Sequence, residues 1–169
     1  MKPTPLLASL LCATALIAQN PLVTETKGMY TGVKNNIIKA AEKMPAENYN
    51  FKPVPEVRSF GQLVGHIADA QYLFCSPVKG EENPKPGIEK GKTSKEDLTA
   101  ALKAAFAYCD GVYDSVSDAK ALQNVKFFGR ERSGLSVLNF NTSHNNEHYG
   151  NIVTYMRIKG LVPPSSEGR

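Results

Sequence analysis

The chain has 169 residues, 41% of them hydrophobic and 21% charged. That suits one domain around one core and excludes a disordered chain, a collagen-like repeat and a multi-span membrane protein. Lys and Arg number 20 against 16 Asp and Glu. The basic residues are scattered, so a net charge of +4 serves solubility and leaves no nucleic-acid footprint.

Residues 1–18 have the layout of a secretory signal peptide. Lys2 precedes an apolar run from Leu6 to Ala18 that ends in small residues, with cleavage expected after Ala15 or Ala18. The run is shorter than the about 20 apolar residues of a spanning helix, so no stable membrane anchor is expected. Leu11 is too bulky before Cys12 for a lipidation site. The expected location is therefore outside the cytoplasm, periplasmic or secreted. Cleavage leaves Cys75 and Cys109 in an oxidising compartment.

Four helices are expected in the remainder, within a domain spanning residues 22–164. Met29, Val33, Ile37, Ala40, Ala41 and Met44 recur at helical spacing between Val23 and Met44, and Pro45 ends that segment. Ser59-Phe60-Gly61-Gln62 is a capping-box pattern. It predicts a second helix to Phe74 or Cys75, stopped by Ser76-Pro77, with Leu63, Ile67, Ala70, Phe74 and His66 facing inward. Ser76 to Thr93 has no apolar periodicity and reads as a lid or as a connection returning along the bundle. From Ser94, the residues Leu98, Leu102, Ala105, Cys109, Val112 and Val116 define a third amphipathic helix. Ser117 to Gly134 is turn-prone, and no alternation long enough for a sheet is found. The last helix is expected from Ser136 to Lys159, closed by Gly160-Leu161 and Pro163-Pro164, with residues 165–169 as a flexible tail.

The three histidines are His66, His144 and His148. His144 and His148 are one helical turn apart, so both rings leave the same face, near enough to share one metal ion. They sit in a polar stripe, Asn141, His144, His148, Asn151 and Tyr155, where a bundle helix would ordinarily bury leucine. Buried polar rows are costly without partners, and a bound ion is a common partner for several of them. His66, inward on the second helix, completes a three-imidazole set that leaves a fourth coordination position open. A hydrogen-bonded core histidine is the alternative for His66 alone. His144 to His148 also matches the H-x-x-E-H pattern of inverzincin peptidases. That reading lacks a downstream metal-binding carboxylate, since Glu167 is the one acid after His148.

The segments Arg58 to Ala70 and His144 to Arg157 resemble the DinB-like superfamily. This superfamily includes YfiT-like proteins and the thiol-dependent transferases related to bacillithiol transferase and mycothiol-dependent maleylpyruvate isomerase. The resemblance implies an all-α four-helix bundle, up-down-down-up, with a long connection between helices 2 and 3. It also implies a divalent metal on His66, His144 and His148, zinc or nickel above all, with iron or manganese as alternatives, and a homodimer. With helices 2 and 3 parallel, Cys75 and Cys109 meet, and a disulfide is expected; two buried thiols are the alternative.

The expected activity is that of a metal-dependent hydrolase or thiol transferase acting on a small molecule, with a non-catalytic metal- or ligand-binding protein of the cell envelope as the alternative. Asp69 and Glu147 are candidate proton carriers or supports for a ligand imidazole, with plain solvent exposure the alternative for Glu147. Asn151 and Tyr155 are candidates for substrate contact or helix packing.

Overall fold

The computed structural model describes residues 20–168. The expected signal peptide and Arg169 lie outside the described residues. Helix α1 spans Pro21–Lys43. A proline suits the first turn, where a backbone N–H has no intrahelical acceptor. The amides of Leu22 and Val23 donate instead to the Asp118 carboxylate, at 3.1 and 3.0 Å, and the Asp118 amide donates back to Asn20 Oδ1 at 3.0 Å. The buried stripe runs through Val23, Thr26, Tyr30, Val33 and Ile37. Met29, expected on that stripe, is 61% exposed. Steps of 3 and 4 from Val33 reach Tyr30 and Thr26, and Met29 is turned about 100° away from Tyr30.

Helix α2, Phe60–Lys79, begins at the expected capping box: Gln62 donates its amide to Ser59 Oγ and Ser59 donates its own to Gln62 Oε1. It does not stop at Ser76-Pro77. Pro77 lies inside the last turn, where it removes one backbone donor without ending the helix. Ser76 donates its hydroxyl to the Tyr72 carbonyl at 2.6 Å, and its own carbonyl accepts from Gly80 and Glu81. Gly80, at φ +90°, closes the helix in the left-handed region.

The connection that follows carries a single turn, α3, at Ile88–Gly91. Helix α4, Lys95–Ser115, is capped by Ser94, and the whole expected stripe from Leu98 to Val116 is buried. A short α5 at Asp118–Ala121 leads into a feature not expected from the sequence. Strands β1, Asn124–Phe127, and β2, Arg130–Ser133, pair antiparallel with Phe127 opposite Arg130, so Phe128-Gly129 forms the turn. Both turn residues have positive φ, 48° and 73°. A two-residue hairpin of this kind is usually announced by Asn-Gly or Asp-Gly, and Phe-Gly gives no such signal.

Helix α6, Gly134–Ile158, starts two residues earlier than expected because Ser133 accepts the Ser136 amide. It ends as expected, with Gly160 at φ +73° and the Leu161 amide donating to the Met156 carbonyl. The segment expected as a tail folds back: Pro164–Ser166 forms a 3-10 turn, the Ser165 amide donates to the Tyr149 hydroxyl, and Glu167 pairs with Lys43 on α1.

Cross-helix pairs fix the topology. Gly61 lies beside Leu98 near the starts of α2 and α4, and Cys75 is joined to Cys109 further along both, so these helices are parallel. Tyr30 and Lys27 of α1 meet Phe106 and Asp114 of α4 in the opposite sense. His66 meets His144 while Asn141 lies by Cys75, so α6 opposes α2. The order is up-down-down-up, with the long connection between the second and third long helices. No helix among the described residues is long and apolar enough to cross a membrane.

Candidate metal centre

His66 projects from the middle of α2, and His144 and His148 from consecutive turns of α6. His144 Nε2 lies 3.1 Å from His66 Nε2 and 3.0 Å from His148 Nε2. All three ligand atoms fall within 4.8 Å of one another. Tetrahedral bonds of about 2.0–2.1 Å from nitrogen to zinc would separate two ligand nitrogens by roughly 3.4 Å, close to this spacing. The arrangement is hard to satisfy without a cation. His144 Nε2 has two ring-nitrogen neighbours and at most one proton to share between them. The three histidines could therefore hold a metal ion, and they are the only such group among the described residues.

The electrostatics agree with ligation by neutral rings. Burial and the neighbouring histidines push His144 down to about 3. His148 is pushed down to about 4, first by burial and then by His66. His66 is also lowered, by burial and then by the Arg58 charge, with Glu89 opposing.

The supporting groups are only partly those expected. Asp69 does not touch a ligand ring. Its carboxylate accepts the amides of Ile88 and Glu89 at 2.8 and 2.9 Å and so pins the first turn of α3 to α2. Gly65 makes that seat possible, because a β-carbon there would lie 2.7 Å from Glu89 Cα. The anchored turn brings Glu89 Oε2 to 3.2 Å from His66 Nδ1, while Glu89 Oε1 accepts from Arg58 Nε at 2.9 Å. Glu89 is thus the carboxylate that orients the His66 imidazole. It sits in a connection whose sequence gives no hint of the role.

Glu147 is exposed, beside His148. Asn151 Nδ2 is 3.5 Å from His148 Nδ1, a long contact. Tyr155 donates its hydroxyl to the Arg58 carbonyl at 2.6 Å, fixing the residue that holds Glu89 rather than facing the histidines. Asn141 also turns away from them. It donates to Gln71 Oε1, Gln71 donates to Asn145 Oδ1, and Asn145 donates to Asn141 Oδ1, a closed ring of buried amides at 2.9–3.2 Å between α2 and α6. Gln71 and Asn145 were legible in principle: each stands four residues beyond a position expected on the inward face, Ile67 and Asn141.

A family model described as the DinB superfamily matches residues 29–152. The chain belongs to the DinB superfamily. Among DinB relatives, it is 27% identical over 123 residues to YjoA of Bacillus subtilis strain 168, covering 71% of this chain and 79% of that protein. The crystal structure of a DinB-like protein from Bacillus cereus ATCC 10987 superposes with a TM-score of 0.71 at 20% identity, over 83% of this chain and 95% of that one. Mycothiol-dependent maleylpyruvate isomerase superposes with a TM-score of 0.65 at 14% identity, over 77% of this chain and 60% of the isomerase. These likenesses establish that the bundle described above is the DinB-like fold.

Two clefts of about 550 Å³ each reach the histidines. The first exposes His66 and His144 and is walled by Leu73, Phe74, Phe128 and Phe140. The second exposes His148 among Arg58, Glu147, Asn151 and Tyr155. Glu89 borders both.

Proposed function

We propose that this DinB-superfamily protein is a metal-dependent enzyme in which His66, His144 and His148 hold a divalent ion, zinc or nickel. The convergence of three ring nitrogens carries the reading, and the crowding of His144 Nε2 between the other two supports it. An ion bound there would act as a Lewis acid and lower the pKa of a water or thiol to give a nucleophile near neutral pH. The chain's own residues keep the rings neutral by burial, and Glu89 accepts the Nδ1 proton of His66 and so fixes that ring's tautomer. The amide ring holds α6 against α2 so that the three nitrogens stay in register.

The fold shared with a mycothiol-dependent isomerase supports a thiol as nucleophile. The Cys75–Cys109 disulfide and the N-terminal sequence support export to an oxidising compartment, where low-molecular-weight thiols are scarcer and water is the alternative. Two clefts meeting at the histidines suit a reaction between two partners better than a sealed binding or structural site.

Metal analysis of protein purified without an affinity tag tests the reading. About one equivalent of divalent metal per chain is expected, lost in His144→Ala. Less than half an equivalent, unchanged by that substitution, overturns it. Loaded protein supplied with an ester or with a thiol and an electrophile then distinguishes hydrolysis from transfer.

A further inference from the structure

The cleft beside His66 and His144 has a composition that selects its occupant. Phe74 forms its floor, with its ring centroid 5.2 Å from that of His144 and 5.5 Å from that of Phe140. Phe140 is 50% exposed and Phe128 is 68% exposed. Phe128 is out of place twice over. It presents a large apolar ring to solvent, and at φ +48° it occupies a backbone region that favours glycine or asparagine. A bulky side chain in that conformation at a hairpin tip is costly; its ring lies 4.3 Å from that of Phe127 and supplies one wall of the cleft.

The rim has the opposite character. Lys85 and Lys90 line the same cleft and make no ion pair among the described residues. Asp69 and Glu89, the acids lining the cleft, are already engaged: Asp69 by two backbone amides, Glu89 by Arg58 and His66. Two lysines without an ion pair therefore border an aromatic basin that also reaches His66 and His144. A volume near 550 Å³ falls within the range of small-molecule sites, roughly 300–1,000 Å³.

We propose that this cleft is the substrate site and that its substrate is a small amphipathic anion. An aromatic or similarly flat apolar body lies against Phe74, Phe128 and Phe140, a carboxylate or like anion sits on Lys85 and Lys90, and the reacting group reaches the histidines. The assignment deepens the metal-enzyme reading and rests on it for the location of the reacting group.

The protein contains no tryptophan, so the emission of a naphthyl probe is read without that background. The test titrates zinc-loaded protein with 2-naphthoate and with its neutral counterpart 2-naphthamide. Naphthoate is expected to bind at least about tenfold tighter, the discrimination of one or two charge-assisted contacts. In the double variant Lys85→Gln/Lys90→Gln that preference should vanish while naphthamide affinity holds. Phe128→Asn, which suits the positive φ, should weaken both probes about threefold or more while the unfolding temperature stays level or rises. Equal wild-type affinities overturn the proposal, as does Phe128→Asn leaving both affinities unchanged. A naphthoate preference that survives loss of both lysines puts the carboxylate on the metal and also overturns it. Zinc content is measured on the same samples. Wild-type protein that fails to take up zinc counts against the metal-enzyme reading, and the probe comparison is then judged by the same criteria on metal-free protein.

Discussion

Burial sets the chemistry of the three imidazoles before any ion arrives. Each has a folded-state pKa below its ordinary value of 6.5, about 3 for His144 and about 4 for His148. Below pH 6.5 the unfolded chain takes up protons that the folded chain refuses. The metal-free protein is therefore at full strength, as far as these groups decide, above the ordinary histidine range, and it loses stability as the pH falls toward 4. Thermal unfolding of chelator-treated protein between pH 7 and pH 4 should show that decline, and His144→Gln should make it shallower. A melting temperature indifferent to pH across that window would refute the neutral, clustered arrangement. At this scale the histidine cluster was legible because histidine is so scarce, and the spacing on α6 left little choice of face. The groups around it were not. Tyr155 and Asp69 act on the backbone of other segments, and Glu89 approaches His66 from 23 residues further along the chain.

The α3 turn shows how an element of four residues can control a site formed by two long helices. Its position depends on a side chain, Asp69, and on a missing one, at Gly65. Gly65→Ala would force the turn outward, because the new methyl would meet backbone rather than a flexible side chain. A loss of about 1–3 kcal/mol is expected from overpacking of this kind. Metal affinity should also fall, by roughly 10-fold or more, as Glu89 draws away from His66. Calorimetric metal titration beside a denaturation curve checks both. A variant that loses stability yet binds metal as before would separate the turn from the site. The long helices were legible from their apolar periodicity and caps, since capping residues and a left-handed glycine act through local geometry. The hairpin was not, because its turn residues violate the local preference that sequence reading relies on. The extension of α2 through Pro77 was missed for a related reason: the missing donor falls in a turn that the Ser76 hydroxyl and Gly80 complete.

In the whole molecule, the bundle order follows from which helices run parallel, and the Cys75–Cys109 bond ties the two that do. The loop it closes spans 34 residues, for which chain-entropy reasoning gives about 3–4 kcal/mol. Reduction should therefore lower the unfolding temperature by roughly 10 °C. It should also reach the histidine cluster, because Asn141 of the amide ring packs 3.6 and 3.8 Å from the two sulfurs. An unfolding temperature indifferent to reductant would show that helix packing alone sets the order. Topology was legible only through the family resemblance and the cysteine positions, since periodicity says which face of a helix is buried but not which neighbour buries it. The reciprocal caps between Asn20 and Asp118 add a matter of timing. The first turn of α1 waits for a residue 96 positions later. At about 5–20 residues per second of synthesis, that delay is about 5–20 s. Throughout it, the start of α1 keeps open backbone donors and the pliancy of an unfinished helix, and only the arrival of the first residue of α5 makes it whole.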